Sequence, residues 1–175
     1  AGATALSPLA ARAQGGPAPR ILRDAEAEQL LRDYTAPILR AAGLAKQNVQ
    51  VVIINDSTFN AFVVDGRRIF INHGALLESQ TPNQIIGVLA HETGHIAGGH
   101  LSRLRQQLAQ AQTQLILATI LGVGAMVAGA RSGSQNMGQI GSAAISAPQE
   151  VIRRTLLSYQ RQQEESADRA AVKFL

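Results

Sequence analysis

The chain has no cysteine and no tryptophan, and only 3% of its 175 residues are aromatic. Without cysteine there is no disulfide framework and no thiolate metal site, so any metal must be held by His, Asp or Glu. With so few aromatics the core must rest on Leu, Ile, Val and Ala, and the stacking platforms of single-strand nucleic-acid binding are missing. Charge offers no other route to nucleic acid. The net charge is +4, but the arginines are scattered instead of forming a basic stripe, and they read as solvated surface. No nucleic-acid partner is expected. The chain also lacks an apolar run of the roughly 20 residues that a helical membrane span needs. Its longest uncharged apolar stretch, LILATILGVGAMVAGA at 115–130, falls short, which leaves contact with a membrane surface or packing as a helical hairpin over a soluble core.

What is present is enough for one domain. Apolar residues make up 46% of the chain, which argues against disorder, and the length allows a real core. Residues 1–14, AGATALSPLAARAQ, are small and apolar and run into Ala11-Arg12-Ala13, an A-x-A cleavage pattern. They read as a signal-peptide remnant or an Ala-rich disordered tail ahead of a domain at 15–175, and the first reading implies export to a periplasm-like space.

A helical repeat of Ile21, Leu22, Ala25, Leu30, Leu31, Ile38 and Leu39 stops at Gly43. NVQVVIIN then reads as a buried strand. FNAFVVDGRRIFIN reads as two β-prone runs joined by Asp65-Gly66, a dipeptide favoured in two-residue hairpin turns. HGALLES is a short helical turn. In TPNQIIGVLAHETGH the helix start is marked by Thr81 as N-cap, Pro82 at the first position and Gln84 closing a capping box. The Gly- and Ser-rich stretch at 131–149 reads as a flexible loop, and 113–149 as a mobile cover over the cleft. The last segment is helical without a stop signal, so the natural chain is expected to continue past residue 175.

VLAHETGHIAGGHL, residues 88–101, holds three of the four histidines. Helical residues advance by about 100°, so His91 and His95 share a face one turn apart and their rings can reach one ion. Glu92 lies about 60° from His95, close enough to take a proton from a water at that ion without being a ligand. This is the mechanical content of H-E-x-x-H. A catalytic zinc needs a third protein ligand. His100 is nine residues from His91, about half a turn away around a continuous helix, and cannot serve unless that helix breaks. Geometry leaves His73 open. The better candidate is QQEESADRAA, where Glu164 and Asp168, spaced i,i+4, share a helix face. Glu164 can close the site while Asp168 orients a ligand histidine or handles a proton.

H-E-x-x-H followed about seventy residues later by E-x-x-A-D, with NAFVVDGRRIFINHGAL before and YQRQQEESADRAA around it, resembles the zinc metallopeptidase family of the CAAX prenyl protease, HtpX and BepA type, closest to its periplasmic BepA-like members. The resemblance runs from about residue 25 to the end. It implies an α+β, mainly helical zincin-type domain with a small sheet or hairpin packed on the H-E-x-x-H helix. It implies one zinc per chain on His91, His95 and Glu164, with Glu92 as catalytic base and Asp168 as the second acidic catalytic residue. The implied function is a periplasmic endopeptidase acting on unfolded or misassembled exported or envelope proteins in quality control, and the apolar stretch at 115–130 adds an expected membrane-surface contact. In this family the hairpin strand lies at the cleft edge, where a substrate strand can pair with it. The competing reading is a chaperone-like or binding module whose zinc is structural or silenced, with His73 or His100 filling the fourth position. Tyr159, Arg161 and His100 are the side chains available to hold an oxyanion.

Overall fold

The structure, a computed structural model, describes residues 20–133 and 135–175; the expected signal-peptide remnant at 1–14 lies outside them. The fold is mainly helical with a small mixed sheet. Chain order is β1 (Ile21–Leu22), α1 (Ala25–Ala41), β2 (Gln50–Ile54), β3 (Ala61–Val63), β4 (Arg68–Asn72), α2 (His73–Glu78), α3 (Pro82–Ala97), α4 (His100–Ser132) and α5 (Gln135–Phe174). The strands lie in the order β1-β2-β4-β3, with β2 and β4 parallel and both outer pairings antiparallel.

Asp24 caps α1 by accepting a hydrogen bond from the Ala27 amide at 2.9 Å. The helix therefore starts later than the apolar repeat suggests: Ile21 and Leu22 pair instead with Ile54 and Ile53 of β2. Helix α1 and the H-E-x-x-H helix α3 pack against the sheet. Leu31 and Ile38 of α1, Ile53 of β2, Ile69 and Ile71 of β4 and Leu89 of α3 are its largest buried side chains, and burial of each contributes on the order of 1.5–3 kcal/mol. The hairpin forms between β3 and β4, with Val63 opposite Ile69. Its connection is longer than the two-residue turn expected. The Asp65 carboxylate accepts from the amide of Arg67 and pairs with the guanidinium of Arg68, which stabilises the wider loop.

Beyond α3 the chain runs into two long helices that pack along one another. Gly122 and Gly129, one heptad apart on α4, are buried, as the small-xxx-small spacing of Ala118/Gly122 and Ala125/Gly129 permits. Two expectations are corrected here. The stretch at 131–149 is not an irregular loop: α4 runs to Ser132, turns at Gly133 and resumes as α5 at Gln135. Glycines and serines that suggested a break instead lie along helices that support each other by packing, which outweighs intrinsic propensity. And 115–130 is the middle of a 33-residue helix that is long and apolar enough to cross a membrane by length and composition.

Candidate active site

The start of α3 is fixed by the reciprocal capping box of Thr81 and Gln84 with Pro82 in the first turn. Ile85, Leu89 and Ala90 bury one face against the core, so His91 and His95 emerge on the side facing α5. Close approach of α5 depends on Gly94: a β-carbon there would sit 2.8 Å from the carbonyl oxygen of Ala167, which is itself fully buried. This contact sets the two motifs against each other. The Glu164 carboxylate comes within 3.3 Å of His91 Nε2 and 3.6 Å of His95 Nε2, and the two Nε2 atoms are 3.0 Å apart.

Those three separations test whether the residues fit a metal. Zinc held at about 2.0–2.1 Å in tetrahedral geometry requires donors roughly 3.3 Å apart, and the triangle of 3.0, 3.3 and 3.6 Å brackets that value. His91, His95 and Glu164 form the one His/Cys/Asp/Glu group among the described residues whose ligand atoms converge in this way. The donor set, two imidazoles and a carboxylate, suits zinc and leaves a coordination position open.

Around this triangle each remaining candidate has a defined place. Asp168, one turn after Glu164, lies 2.8 Å from His91 Nδ1, the ring nitrogen turned away from the triangle. Of the two roles its position allowed, it has the contact needed to orient the ring. Glu92 is 8% exposed. Burial is the main cause that pushes its pKa up to about 6; the nearby Glu164 charge adds to this and His91 opposes it. Burial likewise holds the pKa values of His95 and His100 below the usual histidine value, so both rings favour the neutral form.

His73, left open as a ligand, sits at the head of α2 and outside the converging group; its Nδ1 is buried without a hydrogen-bond partner among the described residues. His100 is the surprise. The expectation of half a turn's separation assumed a continuous helix, but the helix breaks at Gly98-Gly99, with Gly99 at φ 62° in the left-handed region. The break folds His100 back until its Nδ1 is 3.0 Å from His95 Nδ1. The Gly-Gly pair directly after the motif is the stop signal that could have revealed this.

The triangle opens into a cleft of about 710 Å³. One wall is β3, Ala61–Val63, at the edge of the sheet. The opposite wall comes from α5 and includes Tyr159 and Arg161, while the first turns of α4 close one end. Arg105 of α4 donates to the Val64 carbonyl at 3.1 Å, tying that end to the hairpin loop. Asp168 stands outside this lining.

A helix bearing H-E-x-x-H, met by a glutamate from a later helix beside a cleft walled by the outer strand of a sheet, is the layout of a metallopeptidase. The chain matches Peptidase family M48 over residues 24–175 and belongs to that family. It is 26% identical over 160 residues to the beta-barrel assembly-enhancing proteases of Escherichia coli (strain K12) and of Shigella flexneri, a match covering 91% of this chain and 31% of each relative. It is also 33% identical over 63 residues to the mitochondrial metalloendopeptidase OMA1 of Schizosaccharomyces pombe, covering 36% of this chain and 19% of that one. The chain thus spans about a third of the length of the first of these relatives.

Proposed function

We propose that residues 15–175 are the catalytic domain of a zinc-dependent endopeptidase that works in the periplasm on unfolded or misassembled envelope proteins. The observation that carries this reading is the triangle of His91, His95 and Glu164 donors beside a buried Glu92, opening on a cleft edged by β3. The envelope setting is supported by the relatives named for beta-barrel assembly.

His91, His95 and Glu164 would hold the ion, which when bound supplies Lewis acidity to a water and to the scissile carbonyl. The other steps belong to the chain itself. An extended substrate adds to β3 as a further strand, its backbone pairing with the edge of Ala61–Val63 that is unpaired among the described residues. A folded substrate cannot present such a strand, which favours loosened chains. Glu92, buried beside the triangle, takes a proton from the attacking water and delivers it to the leaving amine. The Tyr159 hydroxyl lines the cleft wall, buried and without a hydrogen-bond partner among the described residues. It is the donor assigned to the oxyanion in this reading, ahead of Arg161 and His100, the other two candidates in the cleft lining. Asp168 holds the His91 ring and is a positioning residue in this reading.

Glu92→Gln is expected to retain stoichiometric zinc and to lower casein cleavage by about 10²–10⁴-fold, the usual scale for a general base. His91→Ala and His95→Ala should lose the zinc itself. If the wild-type chain bound zinc with no exchangeable water and cleaved nothing, the chaperone-like reading would replace this one.

The same reading places the domain at a lipid surface. Ile116, Leu117, Ile120 and Leu121 are exposed on α4. No Asp or Glu occurs between Glu92 and Glu150, whereas Arg103, Arg105 and Arg131 do. An apolar, acid-free helix with arginines towards its ends suits an anionic bilayer.

A further inference from the structure

His100 has no part in the chemistry above, yet it is 5% exposed and its Nδ1 lies 3.0 Å from Nδ1 of His95. Two ring nitrogens at that distance share one proton, so one ring donates and the other accepts. The other nitrogen of His95, Nε2, faces His91 Nε2 and Glu164 in the donor triangle. A nitrogen that ligates a metal carries no proton, and a neutral imidazole has a single N–H. His95 therefore carries its proton on Nδ1, and His100 Nδ1 is the acceptor.

We propose that His100 is a positioning residue for the metal centre, accepting the Nδ1–H of His95 and so fixing the tautomer and ring plane that aim His95 Nε2 at the ion. His91 has the matching arrangement, with Nδ1 at the Asp168 carboxylate. The two ligand histidines are thus held from behind by unlike groups: a carboxylate with a 71% exposed side chain on α5 and a buried imidazole on α4. The backbone is shaped for the second. Gly99 turns the chain in the left-handed region, and a β-carbon at Gly98 would fall 2.2 Å from His100 Nε2. In this tautomer that Nε2 carries a proton, buried without a hydrogen-bond partner among the described residues. An unpaired buried N–H destabilises a fold, so the ring is not placed there to satisfy its own polar atoms.

This inference rests on the metal-site reading, and its test separates the two. Zinc affinity is measured by chelator competition on the purified chain, with His91→Ala as the reference for a lost site. His100→Phe keeps a ring but removes the acceptor, and is expected to weaken zinc binding about 10–100-fold, the scale for losing an outer partner of a ligand histidine. His100→Asn restores an acceptor near the Nδ1 position and should recover most of that loss. Cobalt(II) in place of zinc should give a perturbed visible spectrum in the Phe variant and a near-native one in the Asn variant. Independently of any variant, long-range ¹H–¹⁵N spectra of the zinc-loaded wild type should show His95 protonated on Nδ1 and His100 on Nε2. Equal zinc affinity in His100→Phe and wild type, equal loss in the Phe and Asn variants, or a proton on His100 Nδ1 would overturn the proposal while leaving the metal site standing. A wild-type chain that binds no zinc would remove both.

Discussion

Residues 20–100 and residues 101–166 are both rich in helix, yet they bury side chains very differently. The first region holds nearly the whole core, from Leu31 to Ile96. In the second, among the described residues, only Gly122 and Gly129 are buried, and large aliphatic side chains such as Leu121 stand open to the surroundings. The residues of the candidate site lie where the two meet. His91, Glu92 and His95 come from the buried region, while Glu164 sits near the end of the exposed one, just before Ala167 and Ala171 return to the core. A candidate metal site split in this way is rigid on one side and depends, on the other, on how α5 is docked against Gly94.

Matched substitutions in the two regions should separate them most clearly. Leu89 is fully buried and Leu121 is 70% exposed. Leu89→Ala is expected to cost about 2–5 kcal/mol of stability, against less than about 0.5 kcal/mol for Leu121→Ala. Urea unfolding of the two variants checks this, and similar losses would mean that α4 is covered by something that buries Leu121.

Glycine to alanine should change sign between the regions. At Gly94 the added β-carbon meets the Ala167 backbone, an overpacking expected to cost about 1–3 kcal/mol. Because that contact sets Glu164 against the histidines, zinc affinity should fall with it. At Gly124 of α4 a β-carbon meets nothing within 4 Å, and alanine should stabilise the helix by about 0.5–1 kcal/mol. Thermal unfolding and chelator competition on both variants measure the pair. Unchanged zinc affinity in Gly94→Ala would detach the ligand geometry from this contact.

Glu92 offers a pH-dependent version of the same contrast. Its folded pKa of about 6 lies above the ordinary 4.5, so the folded protein holds the proton more tightly than the unfolded chain does. Stability is therefore lost as pH rises from 4.5 to 6, and the full cost of the buried charge is felt above 6. Glu92→Gln removes that cost. In the metal-free protein it should be about 2 kcal/mol more stable than wild type at pH 7–8, with the difference vanishing below pH 4.5. A constant difference across that range would show that Glu92 is solvated when the metal is absent.

What is legible in the sequence, in both regions, follows local rules: the capping box of Thr81 and Gln84, the i,i+4 spacing of His91 and His95, and the shared face of Glu164 and Asp168. The apolar spacing of Ile21 and Leu22 suits a helix as well as a strand, and pairing with β2 decides between them. His100 departs from the place a continuous helix predicts because Gly99, in the left-handed region, redirects the chain. Composition reads 131–149 as a loop because Gly and Ser weaken an isolated helix, whereas α4 and α5 support one another, a long-range effect that composition does not encode.

The smallest expected effect on stability is the most informative about the exposed region. Replacing Ile116, Ile120 and Leu121 together by serine changes side chains that are 60–70% exposed and so should move the unfolding free energy by less than about 1 kcal/mol. Peptide cleavage in solution should hold at the wild-type rate, since none of the three lines the cleft. Binding to vesicles containing anionic lipid should nevertheless be lost, because each large aliphatic side chain buried in a bilayer contributes on the order of 1.5–3 kcal/mol. Flotation of wild type and triple variant with anionic and with neutral vesicles separates the contributions. Arginines beside an acid-free helix should make the wild type prefer the anionic vesicles, and salt should weaken that preference. If wild type and variant float equally, the apolar face of α4 is not a lipid contact; a large loss of stability in the variant would instead show that this face is covered within the protein.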